Sequence, residues 1–154
     1  MENAESQQDV DDQFRSIMEG LRTTLPGVQV LFAFLLVLPL QASFAEIREL
    51  ERFAYYVAFF GSAMASVLLI APSAHQRLRA PITGVQRRSR THLRITIVLT
   101  IVGTVVFAVS LAAAVFLISA LTLKDSVAIA ATSAVAVVIA WSWFYIPLIT
   151  FQRS

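Results

Sequence analysis

Four stretches of the sequence, residues 23–45, 53–76, 95–123 and 126–152, contain no Asp, Glu, Lys or Arg. Each is longer than the about 20 residues an α-helix needs to cross the hydrocarbon of a bilayer. In hydrocarbon every backbone amide must find its partner within the protein, so only helices and closed barrels span it. The apolar runs here are continuous rather than alternating, which selects helices. They also give the 154-residue chain its 57% hydrophobic and 14% charged composition, which excludes an ordinary soluble domain. The expected fold is all-α, an integral membrane four-helix bundle, with spans at about 26–44, 53–73, 95–121 and 126–149 in a transmembrane domain 26–151.

Ahead of the first span, residues 1–9 are polar and acidic and are expected to be disordered. Val10, Phe14, Ile17, Leu21 and Leu25 then recur at helical spacing, with Asp11, Asp12, Arg15, Glu19 and Arg22 on the other face. Residues 10–25 therefore read as an amphipathic interfacial helix at the membrane surface, parted from the first span by Pro26-Gly27. Within that span Pro39 has no amide to give and frees the carbonyl of Leu35, so a kink or widened turn is expected there. Phe53, Tyr55 and Tyr56 open the second span, and Trp141, Trp143 and Tyr145 lie towards the end of the fourth, as interfacial aromatics.

The links between spans set the orientation. Residues 74–94 form the one substantial loop, with Arg77, Arg79, Arg87, Arg88, Arg90 and Arg94, no acidic residue, and Pro81 and Gly84 to break helix. Together with Arg15, Arg22 and Arg153 they make nine basic residues on one side, against Arg48, Arg52 and Lys124 on the other. Basic residues favour the cytoplasmic side. Both terminal segments, including the tail 152–154, are therefore expected in the cytoplasm of a bacterial cell, with the chain in its inner (plasma) membrane. Arginine outnumbers lysine eleven to one, a bias that points to a high-GC bacterial genome.

Candidate contacts follow from residue size and polarity. Ala54, Ala58, Ser62 and Ser66, and likewise Ala128, Thr132, Ala136 and Ala140, repeat every four residues as helix-packing stripes. They serve either packing within the chain or a seam between copies. Gln29 and Gln41, about 18 Å apart along a helix, are placed near opposite membrane faces, and Glu46 at the interface. Each of them serves either interhelical hydrogen bonding or a substrate. The arginines of the loop fit, in this order, a topology determinant, a contact for anionic lipid headgroups, or a nucleic-acid contact; with no aromatics interleaved to stack bases, no nucleic-acid partner is expected. His75 and His92 have no neighbouring carboxylate or thiol in the sequence, and cysteine is absent, so no metal site is expected. Asp125 reads as the N-cap of the fourth span. No nucleophile–base set or glycine-rich phosphate loop is present, so neither enzymatic activity nor a cofactor is expected.

The stretch LPGVQVLFAFLLVLPLQASFAEI, with LLIAPSAHQRL closing the second span, resembles an uncharacterised family of small four-span actinobacterial membrane proteins. The likeness covers about residues 17–80. Some members of that family carry an automatically assigned sodium:proton antiporter label, so the resemblance implies either that activity or none yet assigned. The residues themselves point to a structural or accessory membrane subunit that packs with itself or with another membrane protein. The alternative is a small homo-oligomeric transporter or channel, including ion or proton-coupled antiport, which would build its path from Gln29, Gln41 and the Ser/Thr residues of the spans. Coupled carriers usually hold an ionisable group within the membrane, and the four spans contain no carboxylate.

Overall fold

The computed structural model describes residues 2–83, 90–145 and 149. It consists of four long helices, α1 (Glu2–Val37), α2 (Glu49–Thr83), α3 (Arg90–Thr122) and α4 (Asp125–Ile139), with no strand among the described residues. All four are long and apolar enough to cross a membrane, over Gln8–Leu40, Glu49–His75, Leu93–Thr122 and Asp125–Tyr145.

Three helices share a single packing pattern. A line of buried and half-buried residues runs along α1 through Val10, Phe14, Ile17, Leu21, Thr24, Val28, Leu31 and Leu35, and along α2 through Glu51, Tyr55, Ala58, Ser62, Ala65, Leu69 and Pro72. In α3 it runs through Leu93, Thr96, Thr100, Gly103, Phe107, Ser110, Ala114 and Leu117. Spacings of three and four alternate throughout, giving the 3.5-residue repeat of left-handed helix packing. The core is layered accordingly. Val10 and Phe14 meet Leu93; Leu21 and Val28 meet Ala65, Leu69 and Phe107; Leu35 meets Tyr55, Ala58, Ala114 and Leu117.

This seam carries α1 through Pro26-Gly27 without a break and extends it back to Glu2, where a disordered segment and a separate surface helix were expected. Leu21 and Val28, on either side of the proline, are both buried in one cluster against α2 and α3. That burial offsets the roughly 3 kcal/mol a proline costs inside a helix. The apolar face of residues 10–25 is thus covered by protein rather than lipid. In the same way α2 continues past Pro72 and Pro81 to Thr83, and α3 begins at Arg90, so most of the expected loop 74–94 is helical. At 36 residues α1 is about 54 Å long, well beyond the about 30 Å of hydrocarbon.

At Pro39 the helix gives way to a 3-10 turn, Leu38–Leu40, and a second such turn covers Ala42–Glu46. The fourth helix is peripheral: among the described residues it packs along α3, and buries Ala128 and Ile139. It runs on as a π-helical turn, Ala140–Tyr145, in which Trp143 stacks on Phe107 of α3 at 6.0 Å between ring centres. Large apolar side chains such as Phe34, Phe60, Val98, Val109, Ile129 and Val138 are exposed around the bundle, which suits a surface solvated by lipid.

Candidate functional sites in the bundle

Helices α2 and α3 approach closely at two glycines. A Cβ on Gly61 would sit 3.1 Å from the Cβ of Ser110, and one on Gly103 would sit 2.8 Å from the side chain of Leu69. Small residues at these points let the backbones approach. The Ser110 hydroxyl then donates to the main-chain carbonyl of Ala58 across the interface, and the Ser62 hydroxyl donates to Phe59 at 2.9 Å. Both serines are fully buried.

Among the packing residues expected from the sequence, Ala54, Ala58 and Ser62 are buried, while Ser66 is half-buried and donates to the carbonyl of Ser62 at 2.9 Å. In α4, Ala128 is buried and Thr132 half-buried, but Ala136 and Ala140 are exposed. A strict four-residue stripe drifts around the helix, whereas the contact follows Ala128, Thr132, Val135 and Ile139, at spacings of four, three and four.

A second polar centre links the ends of two helices. Arg48 precedes α2, and its backbone amide donates to Glu51 Oε2 at 2.9 Å. The carboxylate of Glu51 thus reaches back over the first turn, as the acidic member of a capping box does. The Arg48 guanidinium donates from Nε to Glu51 Oε1 at 2.8 Å, and from Nη1 and Nη2 to the two carboxylate oxygens of Asp125 at 2.9 and 2.8 Å. Glu51 is 4% exposed, and Arg48 compensates its charge. Asp125, ahead of Glu51, raises the Arg48 pKa above its usual range, so the guanidinium stays charged. Asp125 is the first residue of α4 and Lys124 caps the helix without a side-chain bond, so the expected N-cap role gives way to this ion pair. The capping spacing of Arg48 and Glu51 is visible in the sequence; the Asp125 contact, 77 residues away, is not.

The remaining polar candidates are dispersed. Gln29, Gln41 and Glu46 are exposed and are not brought together. Met18 meets Ser73, Phe32 stacks on Phe59, and Tyr55 reaches Leu35, an antiparallel register that sets Gln29 opposite Ser62. Ser62 adjoins Gly61, which touches Ser110. These residues lie near the middle of the charge-free stretches of α2 and α3, so Gln29 is level with the middle of those stretches. Tyr55, expected at an interface, is buried, while Phe53 and Tyr56 are exposed.

Arg77 and Arg94 are exposed at the ends of α2 and α3 nearest the loop. Arg87 and Arg88 lie outside the described residues, as do the side chains of Arg79, Arg90 and His92. Among the described residues no group of three or more His, Asp or Glu is placed to hold a metal ion. No curated protein and no solved structure matches the chain. One family does match, over residues 3–147, and the chain belongs to it: DUF6328, a family of unknown function.

Proposed function

We propose that this chain is a structural or accessory subunit of a bacterial plasma membrane, without enzymatic activity or cofactor, that packs with itself or with another membrane protein. The observation that carries the reading is how its polar and apolar groups are distributed. Ser62, Ser110 and Tyr55, the buried hydroxyls named above, bond to main-chain carbonyls of the bundle. The seam around them is filled by Val28, Leu35, Leu69 and Leu117, each at most 1% exposed. Outward, α4 offers nearly its whole circumference to lipid or to a neighbour. Such a molecule is built to present surfaces rather than to enclose a ligand.

The nine-to-three division of basic residues supports placing the N-terminal segment, the C-terminal segment and the α2–α3 connection in the cytoplasm, with the Arg48–Asp125 end outside. In that orientation Arg77, Arg79, Arg87, Arg88, Arg90 and Arg94 meet anionic lipid headgroups. A second reading, a small homo-oligomeric transporter or channel, draws on the position of Gln29, level with the middle of the charge-free stretches, which would line a path between copies.

Extraction into native-lipid particles followed by mass measurement tests the first reading. A complex of fixed stoichiometry, of this chain with itself or with another membrane protein, is expected. A population of single chains would overturn it, and a closed ring that conducts ions in planar bilayers would favour the second reading.

A further inference from the structure

The outer surface of α1 carries a polar group in an unusual place. Gln29 is exposed, no hydrogen bond to it exists among the described residues, and the register with Ser62 sets it level with the middle of the charge-free stretches of α2 and α3. An amide there can bond neither to acyl chains nor to water, and an unmade hydrogen bond in an apolar medium is costly. Gln29 also lies on a second line of exposed residues, Arg22, Pro26, Gln29, Ala33 and Leu36, at spacings of four, three, four and three. This repeats the 3.5-residue period of the buried seam on a face of α1 that no helix among the described residues covers.

We propose that this face pairs with the same face of a second copy, α1 against α1, with the two Gln29 amides hydrogen-bonded to each other at the dimer axis. The proposal deepens the subunit reading and rests on it. Two observations select a second copy as the occupant. A glutamine amide is both donor and acceptor and is complementary to itself. Two copies inserted in the same orientation, related by a two-fold axis along the membrane normal, hold their Gln29 residues at identical depth without adjustment. Ala33 and Pro26, on either side, carry little side chain and permit close approach. One polar residue in such a seam also fixes its register.

Because the chain has no cysteine, single cysteines can map the face. In native membranes under mild oxidation, Ala33→Cys is expected to give a disulfide-linked dimer, while Phe34→Cys, exposed on another side of α1, gives little. Adding Gln29→Leu should weaken dimerisation about tenfold, whereas Gln29→Asn retains most of it. Since Gln29 is exposed and makes no hydrogen bond among the described residues, its replacement should leave the melting temperature of the isolated chain unchanged. Equal crosslinking of Ala33→Cys and Phe34→Cys, or dimerisation indifferent to Gln29→Leu, overturns the proposal. If Ala33→Cys stays uncrosslinked while a different membrane protein co-purifies at fixed stoichiometry, the self-pairing fails and the subunit reading survives. Single chains throughout would end both.

Discussion

The Tyr55 hydroxyl of α2 donates to the main-chain carbonyl of Leu35 in α1 at 3.1 Å, and that is the carbonyl which Pro39, lacking an amide, leaves without its helical donor. The proline ends α1, and the tyrosine takes up the acceptor it frees. Phe44 supports the ring edge-on at 4.8 Å, and Phe59 stacks on it at 5.8 Å. A chain reversal inside an apolar medium is thereby made without an orphaned acceptor.

Tyr55→Phe should lower the melting temperature in detergent, by an amount corresponding to about 1 kcal/mol, because a buried acceptor loses its donor. Tyr56→Phe, at an exposed ring, should not. In the Pro39→Ala background, where an amide can return to Leu35, the penalty of Tyr55→Phe should shrink. Equal penalties in both backgrounds would dissociate the proline from the hydroxyl.

Glycines separate packed from open faces. Gly103→Ala places a methyl against Leu69, whose side chain is fully buried and cannot swing aside. A loss of about 1–3 kcal/mol is expected. At Gly27 an added Cβ meets nothing within 4 Å, so Gly27→Ala should be neutral or slightly stabilising. Likewise Ser62→Leu should destabilise strongly and Ala136→Leu hardly at all, since the first is buried and the second exposed. Thermal melts of the four variants decide this; similar losses at Ala136 and Ser62 would put α4 inside the bundle.

Much of this architecture was legible in advance. Charge-free stretches located the four spans, since a buried or lipid-facing helix cannot tolerate unpaired charge. Pro26 does not break the helix as its local propensity suggests, because Leu21 and Val28, on either side of it, are buried on the same seam. Stripes of small residues at strict four-residue spacing drift off the contact, whereas alternate threes and fours, from Tyr55 to Ala58 to Ser62 to Ala65, keep one face in contact. The partnership of Arg48 with Asp125 depends on two helix ends meeting in space, and a sequence without its fold does not carry it.

The Arg48–Asp125 pair should hold the first turn of α4 near α2, two helices that otherwise do not touch. Hydrogen exchange of the amides just after Asp125 is expected to quicken in Arg48→Gln and in Asp125→Asn. It should quicken in the native chain at high salt as well, because the pair is exposed and therefore screened. Restoration by the exchanged pair, Arg48→Asp with Asp125→Arg, is not expected, since Glu51 would then face an aspartate. Unchanged exchange in both single variants would show that α3 alone positions α4.

Sodium-driven proton movement is not expected from this chain. Glu51, the buried carboxylate, is engaged by the Arg48 guanidinium and amide, and Glu46 is exposed. A glutamine such as Gln29 does not titrate in the physiological range and cannot bind proton and cation in turn. Reconstituted protein with an imposed sodium gradient should match empty liposomes. Sodium-dependent flux abolished by Glu46→Gln would place that carboxylate in a transport path.

The most direct test of the whole arrangement asks which side of the membrane each end of the bundle occupies. Cysteines introduced singly at Glu46, beside the Arg48–Asp125 pair, and at Gly84, between α2 and α3, can be probed with an impermeant thiol reagent on cells whose outer barrier has been opened. Labelling of Glu46→Cys in intact cells, with Gly84→Cys labelled only after lysis, is the predicted result. Labelling of Gly84→Cys in intact cells with Glu46→Cys protected would invert the protein in its membrane, and equal labelling of both before lysis would contradict a four-span bundle.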